Sequence, residues 1–142
     1  MAVRINQEQA SREVEAWLDY KRVFERTKEA NQDSIEFMED MICEGILSID
    51  ETTHEITHKL LFPLGEGSEI TSLKYKSRLN DKMLEPKMKG IKSNDANAML
   101  TAYICALTDE NSGVIKGMDS QDKKVAMAIA VFFLYTQRAK TI

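Results

Sequence analysis

Residues 46–76 read ILSIDETTHEITHKLLFPLGEGSEITSLKYK, and their reading decides the fold class. Ile46–Ile49 is short and β-prone, and Asp50–Thr53 is turn-like. Glu55–Leu64 is dense in β-branched and large apolar residues, a strand composition, and is closed by Pro63 and Gly65. Gly65–Ser68 is a second turn. Ile70–Lys76 then alternates, with Leu73 and Tyr75 on one face. Connections this short join antiparallel neighbours, because a parallel crossover needs a dozen residues or more. The stretch predicts a three-stranded antiparallel meander.

Helical signals flank it on both sides. Asn6 with Gln9 three positions on is a capping-box arrangement. The helix that follows carries Ala10, Val14, Trp17, Leu18 and Phe24 along one narrow seam. Lys28–Asp33 reads as a break. Asp33 with Glu36 caps a second helix over Ser34–Glu44, with Ile35, Met38 and Ile42 on one face and Gly45 as its stop. Beyond the meander, Asp81–Lys89 predicts a short helix interrupted by Pro86. Ser93 is the expected cap of the next, whose face is Met99, Leu100, Tyr103, Ile104 and Leu107. Asn111-Ser112-Gly113 ends it. Asp119 begins the last helix, with Asp122 in its first turn, where the helix dipole favours negative charge.

The fold class is therefore α+β: two N-terminal helices, a three-stranded meander and a C-terminal helical part. Residues 1–45 read as an N-terminal helical extension and residues 46–142 as the main domain. The expected core includes Val14, Trp17, Leu18, Ile42, Leu60, Phe62, Leu100, Ile104, Ile129 and Phe133.

Composition narrows the function classes. Apolar residues at 43% and charged residues at 30% describe a globular chain, not a disordered one. Charge is unevenly distributed. Residues 1–59 hold 7 Lys/Arg against 14 Asp/Glu, while residues 74–92 hold 7 against 2. The basic segment, with Lys74, Lys76 and Arg78 at its start, has one aromatic, Tyr75, and no nucleic-acid motif. A solvated face or an acidic protein partner suits it better than phosphates. Cys43 and Cys105 lie in apolar helical patterns at no metal-ligand spacing, and read as reduced core thiols of a cytosolic protein. Met1–Gln9 has no apolar stretch of the kind a signal peptide carries. The longest apolar run, Val125–Tyr135, falls short of the roughly 18–20 residues a membrane span needs. No phosphate loop, nucleophile elbow or Cys/His pair is present.

One motif points to an enzyme. His54, Glu55 and His58 spell HExxH, the zinc metalloprotease signature. Its chemistry needs a helix, so that two histidines four apart share one ion while the glutamate polarises the bound water. Here the segment is Thr-rich and β-branched, and Pro63 lies five positions after His58. On a strand the two histidines would stand about 13 Å apart, too far for one metal. There is no third histidine, so a further ligand would have to be Glu66, Glu69, Asp81 or Glu85. The expectation is no metal and no other cofactor, with a small zinc protease as the enzymatic alternative.

Two segments taken in order carry a family resemblance. Residues 54–84, HEITHKLLFPLGEGSEITSLKYKSRLNDKML, contain a strand with a Pro-containing turn, an I-T-x-L strand and a basic R-x-x-D step. Residues 88–134, MKGIKSNDANAMLTAYICALTDENSGVIKGMDSQDKKVAMAIAVFFL, contain an ALT helix end, an MDSQD cap and a closing FFL helix. Over about Ile46–Leu134 the chain resembles the tail assembly chaperones of Mu-like and related tailed phages. The resemblance implies a non-enzymatic protein of the infected host's cytoplasm. Such a protein binds the tape measure protein and keeps it soluble until tail tube subunits polymerise around it. A structural tail or connector subunit retained in the virion is the alternative on the same fold. Residues 1–45 have no counterpart in the short family members.

Candidate partner-binding residues follow from these readings. Trp17 and Phe24 mark the N-terminal seam, which docks on the domain or pairs with a second copy. Lys74, Lys76 and Arg78 mark the basic segment. Phe132, Phe133 and Tyr135 form either core or a client groove on the last helix, and the methionines of the second half suit an adaptable apolar surface.

Overall fold

The first helix ends where no glycine announces an end. In the computed structural model, which describes the backbone of residues 5–139 and the side chains of residues 5–134, α1 spans Gln7–Tyr20. Asn6 caps it, its side chain accepting from the Gln9 N–H. Lys21 is the last αR residue, and Arg22 turns left-handed at φ +58°. The Arg22 N–H then bonds to the Asp19 carbonyl and the Val23 N–H to the Leu18 carbonyl. This is a Schellman stop, with Val23 and Leu18 both buried beside it. Helix α2 follows as a single short piece, Glu25–Ala30, and α3 as Gln32–Cys43. The N-terminal part therefore holds three helices where two were expected, and the main break lies at 21–24 rather than at 28–33. Because the turn directs Val23 inward, Phe24 leaves the expected seam and is 51% exposed.

Helix α3 ends by the same device with the expected residue. Gly45 takes φ +79°, its N–H bonding to Ile42 O, and the Ile46 N–H bonds to Met41 O. The meander is observed within one residue of the predicted limits: β1 Leu47–Ile49, β2 Ile56–Leu64 and β3 Ile70–Tyr75, in sheet order β1-β2-β3, all antiparallel. Asp50 holds the first turn, its Oδ1 accepting from the Thr52 and Thr53 N–H groups at 2.8 Å each. The register aligns Leu47, His58 and Leu73 across the sheet, and beside them Ile49, Ile56 and Tyr75. Of these six only Ile49 keeps partial exposure. The other face carries Ser48 and Lys74, both exposed, with Thr57 between them. The sheet is thus covered on one side, as an antiparallel sheet permits.

The alternation fails once. The β2–β3 register shifts between Lys59 and Leu64. Leu60 and Leu64 stay buried, but Leu61, Phe62 and Pro63 are all exposed, Phe62 at 57%. Phe62 is therefore not a core residue: the irregularity turns its side chain outward.

The chain continues with α4 Asp81–Met88, α5 Ala96–Thr108, α6 Ser112–Lys116 and α7 Ser120–Ala139. Asp95, not Ser93, caps α5, its Oδ1 accepting from the Ala98 N–H. Helix α5 ends at its C-cap Asp109, left-handed at φ +60°, and Asn111 caps α6 instead of ending α5, accepting from the Val114 N–H. Among the described residues the buried apolar side chains form one cluster that takes in α1, α3, the sheet and α4–α7. Helices α1 and α3 contribute buried side chains to that cluster alongside the sheet and the later helices. Cys43 and Cys105 are free thiols, the first partly and the second fully buried. No described helix is long and apolar enough to cross a membrane.

Candidate functional site

The sequence places Asp122 in the first turn of α7 as a partner of the helix dipole, and it is found in that turn. It is also fully buried and reaches the sheet. Its Oδ1 accepts from the Leu61 N–H at 3.0 Å and its Oδ2 from the Leu61 and Phe62 N–H groups at 3.1 Å each. These are the amides the β2 irregularity strips of ladder partners. Left unpaired, each would cost about 1–3 kcal/mol. His58 completes the knot. Its Nε2 lies 3.2 Å from Asp122 Oδ1 and its Nδ1 3.0 Å from the Tyr75 hydroxyl. With Nε2–H donating to Asp122 and Nδ1 accepting from Tyr75, every polar atom of the trio is satisfied; the network assigns this tautomer. Burial holds the His58 pKa below its usual value, although the Asp122 carboxylate opposes the shift. Burial first, then the Asp122 charge, pushes the Tyr75 hydroxyl up. His58 and Asp122 are fully buried and Tyr75 is 1% exposed, and the trio's carboxylate holds the Leu61–Phe62 backbone.

This geometry settles the placement of HExxH. His54 stands in the turn before β2, at φ +62°, with its ring stacked on Tyr20 at 3.9 Å. Glu55 is partly buried beside it, and only His58 is on the strand. The two imidazoles are held by different partners, and the helix that the zinc chemistry requires is not what the chain forms there. Among the described residues, no group of three His, Cys, Asp or Glu side chains could hold a metal ion.

The other predicted site residues separate into interior and surface. Trp17 is 1% exposed and packs edge-on against Phe132 and Phe133, with ring centroids at 6.0 Å for each pair. Both phenylalanines are buried. These three residues form core, not a docking face, and the α1 seam is covered by the protein's own last helix instead of lying open to a second copy. Lys21 lies over the Phe133 ring at 3.2 Å. Lys76 pairs with Asp109 at 2.8 Å, and Arg78 lies 5.0 Å over the Tyr20 ring. Lys74 is exposed on the open sheet face. Phe24 is exposed at the start of α2. The side chain of Tyr135 lies outside the described residues.

The open apolar surface of α7 lies on a different side from the phenylalanines. Met127, Ala128 and Val131 face Phe37 of α3 and Leu100 of α5 across a groove of about 370 Å³. Asp33 and Lys124 stand at its polar edge. Leu100, expected in the core, is only partly buried because it lines this groove. The signal was present in the chain as Met127 and Val131, four apart on one helical face, but the near-continuous apolar run around them hid which face stays open.

No protein family, curated protein or solved structure gives a match to this chain.

Proposed function

We propose that the protein is a non-enzymatic binding protein of the tail-assembly-chaperone type. Its client is the tape measure protein, a long helical chain, and it holds that client's apolar stripe in the groove between α3, α5 and α7. The groove carries the reading. Its wall is apolar, with Phe37, Leu100, Met127 and Val131 partly exposed, and it offers one acid and one base at its edge. An amphipathic helix meets such a groove with apolar anchors at three- and four-residue spacing. The flexible Met127 thioether in its wall adapts to anchors of different shape, which suits reversible cover of a repetitive client. The resemblance over residues 46–134 supplies the client class.

Co-expression tests it. Alone, a tape-measure-type polypeptide should pellet; with the wild-type chain it should stay in the supernatant and co-purify. Met127→Glu should abolish this while the circular dichroism spectrum is unchanged. If wild type fails to hold the client, the chaperone reading fails. If Met127→Glu holds it equally well, the groove is the wrong surface. Mass spectrometry of virions adds the last arm, since a stoichiometric copy in purified particles would make the protein a structural subunit instead.

A further inference from the structure

Only part of the basic segment 74–92 is spent on ties within the fold. Lys87 and Lys89 border a cavity of about 660 Å³ between α4, the connection through Ile91, α5 and α6. The face of α5 from Ala98 to Cys105 is its floor, and Lys116 of α6 stands on the far side. The lining thus holds three lysines against one carboxylate, Asp95, whose Oδ1 already caps α5. A fourth lysine reaches the same floor from α7: Lys123 Nζ donates to Thr101 Oγ1 at 3.0 Å. Among the described residues, Lys87 Nζ donates only to the Glu110 carbonyl, at 3.2 Å. None of these four ammonium groups forms an ion pair among the described residues.

We propose that this cavity is an anion-binding site for a small molecule bearing a phosphate or carboxylate group. Its volume lies within the range of about 300–1,000 Å³ typical of small-molecule sites. Unneutralised like charges converging on a recess focus a positive potential there, and a bound oxyanion relieves their mutual repulsion. Burial holds the Lys123 pKa low; Cys105 opposes the shift, and the Lys116 charge adds a smaller lowering. Lysine ammonium groups serve as point-charge donors to oxyanions. Asn97 and Ser112 add polar groups for the rest of the ligand, while Ile91 and Ala102 offer it apolar contact. The site shares no lining residue with the client groove.

Amide NMR of the full chain tests it, with inorganic phosphate and succinate titrated separately at constant ionic strength. Saturable shifts should appear at Thr101–Cys105 and Ser112–Lys116. Saturation with phosphate alone assigns a phosphate ligand, and with succinate alone a carboxylate. Replacing Lys87→Gln and Lys116→Gln together should weaken binding tenfold or more, since the loss of one charge-assisted contact alone is worth about tenfold. Should the pair of changes disturb the fold, Lys116→Gln alone, at an exposed position, should still weaken binding measurably. Shifts that never saturate, that spread over surface lysines generally, or that are unchanged in the variants overturn the proposal.

Discussion

His58 and Asp122, 64 positions apart in the chain, meet at 3.2 Å with neither side chain exposed. The contact ties the first turn of α7 to the middle strand of the sheet. Burying such polar groups is unfavourable unless all of them are paired, and here they are. The strand irregularity and the acid at the helix start therefore depend on each other. Without Asp122, Leu61 and Phe62 would have no partner for their amides, and without the irregularity Asp122 would have no amides to receive.

Asp122→Ala should be among the most damaging single changes in the protein. It orphans two backbone donors and the His58 Nε2–H at once. The expected loss is about 3 kcal/mol or more, read from urea denaturation at neutral pH. Asp122→Asn, which keeps one acceptor, should fall between. A loss under about 0.5 kcal/mol for the alanine variant would mean the amides find other partners.

Acidification should weaken the fold through His58. Its folded pKa lies below the unfolded value of about 6.5, so the unfolded chain takes up a proton first. Stability should be flat above about pH 7 and decline as pH falls below 6.5, by at most about 1.4 kcal/mol per pH unit for one proton. The decline ends once the folded His58 itself titrates. Urea midpoints from pH 7.5 to 5.5, with the His58 ring followed by NMR, check both halves of the statement. An unshifted His58 titration would defeat it.

The meander was legible because its turns carry their own chemistry: Asp50 and Gly65 stand where the backbone needs them. The last helix was legible from its apolar run. What escaped were features set by distant parts of the chain. Phe62 fits the alternation that buries Leu60 and Leu64, and only the carboxylate of Asp122, sixty residues on, accounts for its turning outward. In the sequence Asp122 has the ordinary look of an acid near a helix start. The end of α1 was missed for a local reason, since Arg22 occupies the position that Gly45 fills in α3. His54, Glu55 and His58 matched a catalytic pattern by letter, while the β-branched residues around them favoured the strand that forms.

Trp17 should report on the whole domain. It is the single tryptophan, and it sits between α1 and the two phenylalanines of α7. Trp17→Ala should cost about 3–5 kcal/mol, because the cavity left behind is bounded by two helices that cannot both collapse into it. The indole N–H has no partner among the described residues. Trp17→Phe removes that unpaired donor and most of the void, so it should cost well under half as much. Equal losses for the two variants would show that volume does not control the site. In the wild type, the emission should be blue-shifted in the fold and move red in one step with unfolding.

The two Schellman stops provide a matched experiment. Arg22 and Gly45 occupy the same position after α1 and α3, with the same pair of backbone bonds and positive φ. An L-residue held there is strained by roughly 1–2 kcal/mol, whereas glycine is not. Glycine gives back part of this through the entropy of the unfolded chain, about 0.5–1 kcal/mol. Arg22→Gly should therefore stabilise the protein modestly, by about 0.5–1 kcal/mol, as its exposed side chain gives up little. Gly45→Ala should destabilise it by about 1 kcal/mol for the mirror-image reason. Thermal denaturation of both variants beside wild type decides the matter. If Arg22→Gly lowers the midpoint, the arginine side chain contributes more at the end of α1 than its exposure suggests, and the strain argument fails there.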